Sequence, residues 1–173
     1  MRSRLCRSFV AVALAAVLAL AACGHDAATT QANNRTITVL DAPGIPSTLG
    51  GLRVQSEAIG DDLKKVQRPY VDSVALFSLR NGDTLEATLQ VARFAGGING
   101  ADRAFEDRLL ATLGSSTAKE FRVGGRSVFL TTGDRQSIAV WFSATDFFVL
   151  STRADYPYPR GLLRVAVDLK VAA

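Results

Sequence analysis

Few side chains in this sequence carry the chemistry of a reaction centre. Cysteine occurs twice, at Cys6 and Cys23, and histidine once, at His25. Cys23, in the stretch "LALAACGHDA", has four roles open to it: reactive thiol, disulfide partner, metal ligand or point of covalent attachment. His25 sits two residues further on, in a polar stretch with no fixed neighbours to orient an imidazole, which argues against a catalytic base. Lys119 follows Ser115 and Ser116 closely enough for serine–lysine chemistry, yet "GSST" just past a helix is ordinary turn composition. Carboxylates occur as the adjacent pairs Asp61-Asp62 and Glu106-Asp107, without the spaced ladder of a calcium loop, and Arg103 and Arg108 flank the second pair. The glycine-rich "AGGING", Ala95 to Gly100, lacks both the Lys-Ser/Thr of a phosphate loop and the glycine spacing of a dinucleotide fingerprint. The sequence therefore predicts a noncatalytic protein with no cofactor and no metal site, leaving only carboxylates or serines that folding could assemble from distant positions.

The segment before Cys23 gives that residue its context. Arg2, Arg4 and Arg7 form a positive cluster, and "FVAVALAAVLALAA", residues 9–22, then runs without a charge, in the layout of a signal peptide. Fourteen apolar residues fall short of the roughly twenty that a spanning helix needs. Leu20-Ala21-Ala22-Cys23 resembles the lipobox of bacterial lipoproteins, in which the cysteine sulfur takes up a diacylglyceryl group and cleavage falls just before it. The resemblance covers no more than the first quarter of the chain. It implies that residues 1–22 are a cleaved leader and that Cys23, acylated with palmitate-type chains, anchors the protein at the extracytoplasmic face of the cell membrane. Two or three acyl chains on one residue hold lastingly where one holds only marginally. On that implication Cys6 leaves with the leader, so the mature chain has no partner for an internal disulfide.

Composition follows the same division. About 150 residues remain, one domain's worth, enough to bury roughly two thirds of the unfolded chain's surface without covalent staples. The formal charge of +4 loses the three leader arginines and falls to about +1. Basic and acidic residues are interspersed, as at Asp61-Asp62 beside Lys64-Lys65, which argues against nucleic acid as a partner. Residues 23–35 are small, polar and aperiodic after the cysteine, so they read as a tether; twelve such residues span on the order of 20 Å.

Residues 36–173 read as a single α+β domain, an antiparallel sheet of about six to eight strands with two amphipathic helices packed against it. "TITVL" and "LRVQSEAI" alternate as strands around the turn-rich "DAPGIPSTLGG", and a turn is expected over Asp61 to Lys65. "VDSVALFSLR" and "TLEATLQVARF" flank Asn81-Gly82-Asp83, a hairpin signal. Leu85, Ala87, Leu89 and Val91 share one face of the second arm. Glu86, Thr88 and Gln90 share the other, expected to meet water at least in part. A helix follows with Asn99 as its cap, Phe105, Leu109 and Leu113 as its stripe and Gly114 just past its end. Four strands separated by short turns come next: "EFRV", "RSVFLTT", "QSIAVWFS" and "FFVLSTR". A closing helix starts at Pro159, with Leu162, Val165, Ala166 and Leu169 inward and Arg160, Arg164 and Asp168 outward. This order is similar, in arrangement only, to the PsbP-like fold and to the curved half-barrels of some lipid-carrying bacterial lipoproteins.

Function expectations follow from a tether plus a domain without a catalytic constellation. The first is a noncatalytic accessory module that binds an envelope protein. The second is a carrier or sensor of a lipid or other apolar ligand held between sheet and helices. Trp141, Tyr156 and Tyr158 are the candidate contact residues, for their aromatic bodies and polar tips.

Overall fold

Asn81 and Thr84 close a two-residue turn on which the longest hairpin is built. Strands β4 (Val71–Asn81) and β5 (Thr84–Phe94) pair antiparallel from Val71↔Phe94 to Asn81↔Thr84. Gly82 leads the turn at φ 57°, a value glycine adopts without steric cost. The computed structural model describes residues 37–42, 44–60, 70–112, 118–157 and 159–170. Ahead of β4 come β1 (Thr38–Val39), β2 (Thr48–Leu49) and β3 (Leu52–Glu57). After β5 come helix α1 (Arg103–Thr112), strands β6 (Lys119–Val123), β7 (Arg126–Thr132), β8 (Gln136–Phe142) and β9 (Asp146–Arg153), and helix α2 (Pro159–Ala166).

The sheet order is β2-β3-β4-β5-β9-β8-β7-β6, antiparallel throughout this path. Two four-stranded meanders thus join through the β5–β9 seam. The class is α+β, with nine strands described where the sequence predicts six to eight. The additional strand is β2, hidden inside the turn-rich segment. Gly50 and Gly51, at φ 58° and 81°, fold Thr48-Leu49 back onto Leu52-Arg53. "TITVL" contributes only Thr38–Val39, and β1 runs parallel to β4 at Ser73-Val74, on the edge that β3 occupies further along from Leu76 to Arg80.

Alternation along the strands sorts the apolar residues into two cores, one on each face. Leu79, Ala87, Leu89, Val91, Val128, Trp141, Phe148 and Leu150 gather with Leu162, Leu163, Ala166 and Val167 of the closing segment. Val74, Ala92, Phe94, Phe129, Val140, Phe142, Phe147 and Val149 gather with Phe105, Leu109 and Leu110 of α1. The helices therefore cover opposite faces. The sheet also curls toward α2. A Cβ built on Gly50, in the β2–β3 turn, lies 2.9 Å from Leu162 Cδ1, and one built on Gly124, in the β6–β7 turn, lies 3.4 Å from Val167 Cγ2. Those turns belong to the two ends of the sheet order. An eight-residue helix is only about 12 Å long, so both ends of the sheet must bend in to reach it.

Three expected details change. The N-cap of α1 is Asp102, whose Oδ1 accepts from Ala104 N at 2.9 Å, while Asn99 caps the preceding turn through Ala101 N at 3.0 Å. The buried stripe of α2 uses Leu163 in place of Val165, which is 42% exposed, because the helix lies across the concave face with Leu162 and Leu163 both turned inward. Thr88 and Gln90 do not meet water: they are buried, and Glu86 is half-buried. They stand on a central strand, where neighbours on either side close off a face that an outer strand would leave open. Leu113, Gly114 and the turn expected at Asp61 to Lys65 lie outside the described residues.

Candidate functional site

The sites of expected chemistry divide. Cys23, His25, Asp61, Asp62, Ser115, Ser116 and Tyr158 lie outside the described residues. Trp141 is fully enclosed at the centre of the concave face, stacked on Phe148 with ring centroids 5.2 Å apart. Its indole Nε1 has no hydrogen-bond partner. Tyr156 is half-buried against the edge of the same core. The structure does not bring Tyr156 and Trp141 to a common surface opening.

Glu106 and Asp107 belong to an ion network centred on Arg103. Arg103 lies 3.5 Å from Glu106, 3.2 Å from Asp107 and 3.1 Å from Glu120, tying α1 to β6, and its guanidinium stands 5.1 Å from the ring centroid of Phe129. Burial pushes the Glu106 carboxyl above the ordinary range despite Arg103. Hydrogen bonds from Ser127 and then Arg103 hold Glu120 below it. A hollow of about 260 Å³ beside this network is lined by Arg103, Asp107, Leu110, Glu120 and Phe129. Its charges are compensated within the site, which leaves little to recruit a charged ligand.

The larger opening is a groove of about 520 Å³ between α2 and the β6–β7 hairpin, within the roughly 300–1,000 Å³ typical of small-molecule sites. Register places Phe121, Val123 and Leu130 on the face that α2 covers, since Phe121 opposes Val128 and Leu130 opposes Ala139. Phe121 is nevertheless 44% exposed, because β6 ends the sheet order and no further strand covers it. Leu163 closes the apolar strip from the helix side. Arg160, Gly161 and Arg164 supply the helix rim, while Arg122 alternates with Phe121 and Val123 to the other face, where its charge acts on Glu120; no carboxylate is among the lining residues. Arg122 donates to the carbonyl of Gly125 at 3.2 Å. Arg160 and Arg164 are exposed and make no ion pair among the described residues, Asp168 included. The groove is thus apolar at its floor and carries Arg160 and Arg164 at its helix rim, with the Asp168 carboxylate at its Gly124 end, 3.4 Å from a Cβ built there.

Among the described residues, no group of three or more His, Cys, Asp or Glu could hold a metal ion, and no helix is long and apolar enough to cross a membrane. No family model, no curated protein and no solved structure matches the chain. The groove residues escape sequence reading because Phe121 sits in a short charged strand and pairs with α2 only after some forty residues of intervening chain. The signal that was present is the Arg160–Arg164 spacing, two like charges one helical turn apart, which the sequence masks by placing Asp168 a further turn on, where it reads as the partner of Arg164.

Proposed function

We propose that the chain is a noncatalytic, extracytoplasmic lipoprotein, anchored at the membrane through Cys23, whose domain binds an apolar ligand in the α2 groove. The observation that carries this reading is the groove itself: a ligand-sized opening between sheet and helix, apolar at its floor. It favours ligand binding over docking of an envelope protein, which rested on the tether and the missing catalytic constellation alone. The leader layout and the lipobox support the anchor. Residues 1–22 are then a cleaved signal peptide, 23–35 the lipidated cysteine and tether, and 36–173 the domain.

Organic extraction of the native protein purified from membranes, followed by mass spectrometry, tests the reading. An amphiphile enriched in the wild-type preparation and lost on filling the groove with Gly161→Leu is the expected result. An identical extract from both proteins overturns it.

A further inference from the structure

Gly161 is the third residue of α2 and lines the groove. A Cβ built on it meets nothing within 4 Å, so the backbone there faces open space. Glycine inside a helix costs up to about 1 kcal/mol relative to alanine, and nothing crowded requires it here. What its bare backbone leaves open is the stretch of rim between Arg160 and Arg164. These two residues are four apart and one helical turn from each other, so both guanidinium groups can reach one small anion placed over that turn. Phe121, Val123, Leu130 and Leu163 continue the site as an apolar strip.

Resting on the ligand-binding reading above, we infer that the groove takes a single-chain anionic amphiphile, its carboxylate or phosphate head between Arg160 and Arg164 and its acyl chain along Phe121, Val123, Leu130 and Leu163. Charge decides the class. An uncharged lipid gains nothing from the two exposed arginines, which stay hydrated at the rim, and a cationic one meets like charge. A guanidinium fork pairs bidentately with two oxygens of one anion, which both a planar carboxylate and a tetrahedral phosphate provide. Gly161 is the specificity element, because a side chain there occupies the space through which the chain passes from head to strip.

The test uses membranes carrying the native full-length protein. Four diazirine-bearing probes of equal chain length are applied, a fatty acid, an alkyl phosphate, a fatty alcohol and a fatty amine, and the crosslinked peptides are mapped by mass spectrometry. Expected is labelling of the peptides spanning β6–β7 and α2 by one or both anionic probes, with the ratio between them identifying the head. The alcohol and amine label these peptides roughly tenfold less, as loss of a charge-assisted contact implies. Arg160→Gln with Arg164→Gln brings anionic labelling down to the alcohol's level, and Gly161→Leu removes labelling by all four probes at a melting temperature no lower than that of the wild type. Equal labelling by alcohol and acid, abolished by Gly161→Leu, overturns the anionic class and leaves the groove as a binding site. Absence of groove labelling by every probe, or labelling indifferent to Gly161→Leu, overturns both.

Discussion

Trp141 and Phe148 lie face to face across β8 and β9, their ring planes 2° from parallel. The stack fills the middle of the concave face, and the groove beside α2 lies toward the β6–β7 edge. Thr152, on the same face of β9 one row beyond Leu150, is buried with its Oγ1 lacking a partner. A buried hydroxyl without a hydrogen bond carries its full desolvation cost. Thr152→Val keeps the shape, removes that cost and should raise stability by about 1 kcal/mol, read from the urea midpoint.

The seam between the two meanders carries a polar pin. Arg93 Nε donates to Asp146 Oδ1 at 3.0 Å, and Thr145 donates to Oδ2 at 2.7 Å. Asp146 is 3% exposed, so removing the cation strands a buried carboxylate. Arg93→Met should cost about 3 kcal/mol. Asp146→Asn, which can keep one hydrogen bond, should cost less in the same denaturation series.

Gly100 separates a packing constraint from a mere preference for glycine. A Cβ there would lie 2.1 Å from Phe94 Cε2 and 2.3 Å from the carbonyl oxygen of Ser143, whereas one on Gly96 meets nothing within 4 Å. Gly100→Ala should therefore destabilise by about 2 kcal/mol or more through overpacking. Gly96→Ala should stay within about 0.5 kcal/mol of wild type. Thermal melting compares the two.

Acidity acts on the surface networks with opposite signs. Glu120, hydrogen-bonded by Ser127 and Arg103, and Asp155, hydrogen-bonded by Arg153, both have lowered pKa values in the folded protein. Their contribution is present above the ordinary carboxylate range and is lost as pH falls through their lowered values. Glu106 is raised by burial, so its contribution is present in acid and lost as pH rises from the ordinary value to the raised one. Glu106→Gln should raise stability at neutral pH by under about 1 kcal/mol and leave it unchanged in acid. Glu120→Gln should lower stability at neutral pH and flatten the acid limb. Urea midpoints across the pH range distinguish the two variants.

Much of the architecture is legible in the residues because local signals agree with the fold. Alternation marks the long strands, Asn81-Gly82-Asp83 marks their hairpin and Pro159 marks the start of α2. What is not legible depends on the third dimension. Thr48-Leu49 become a strand only because two glycines fold them onto β3. Thr88 and Gln90 are polar yet buried because β5 is central, which no local pattern reveals. Arg160, Arg164 and Phe121 converge because the curled sheet brings an edge strand under a helix distant in sequence. The proposed anchor is the reverse case: the reading rests on the short contiguous stretch Leu20-Ala21-Ala22-Cys23, and the fold adds nothing to it.

The central claim places this domain outside the cytosol on a lipid leash, and the intact mass of the native protein purified from membranes tests it most directly. The account predicts a chain that begins at Cys23 and carries a diacylglyceryl group on its sulfur, with or without a further acyl chain on its amine. A mass showing the retained leader, or a free thiol at Cys23, would contradict it.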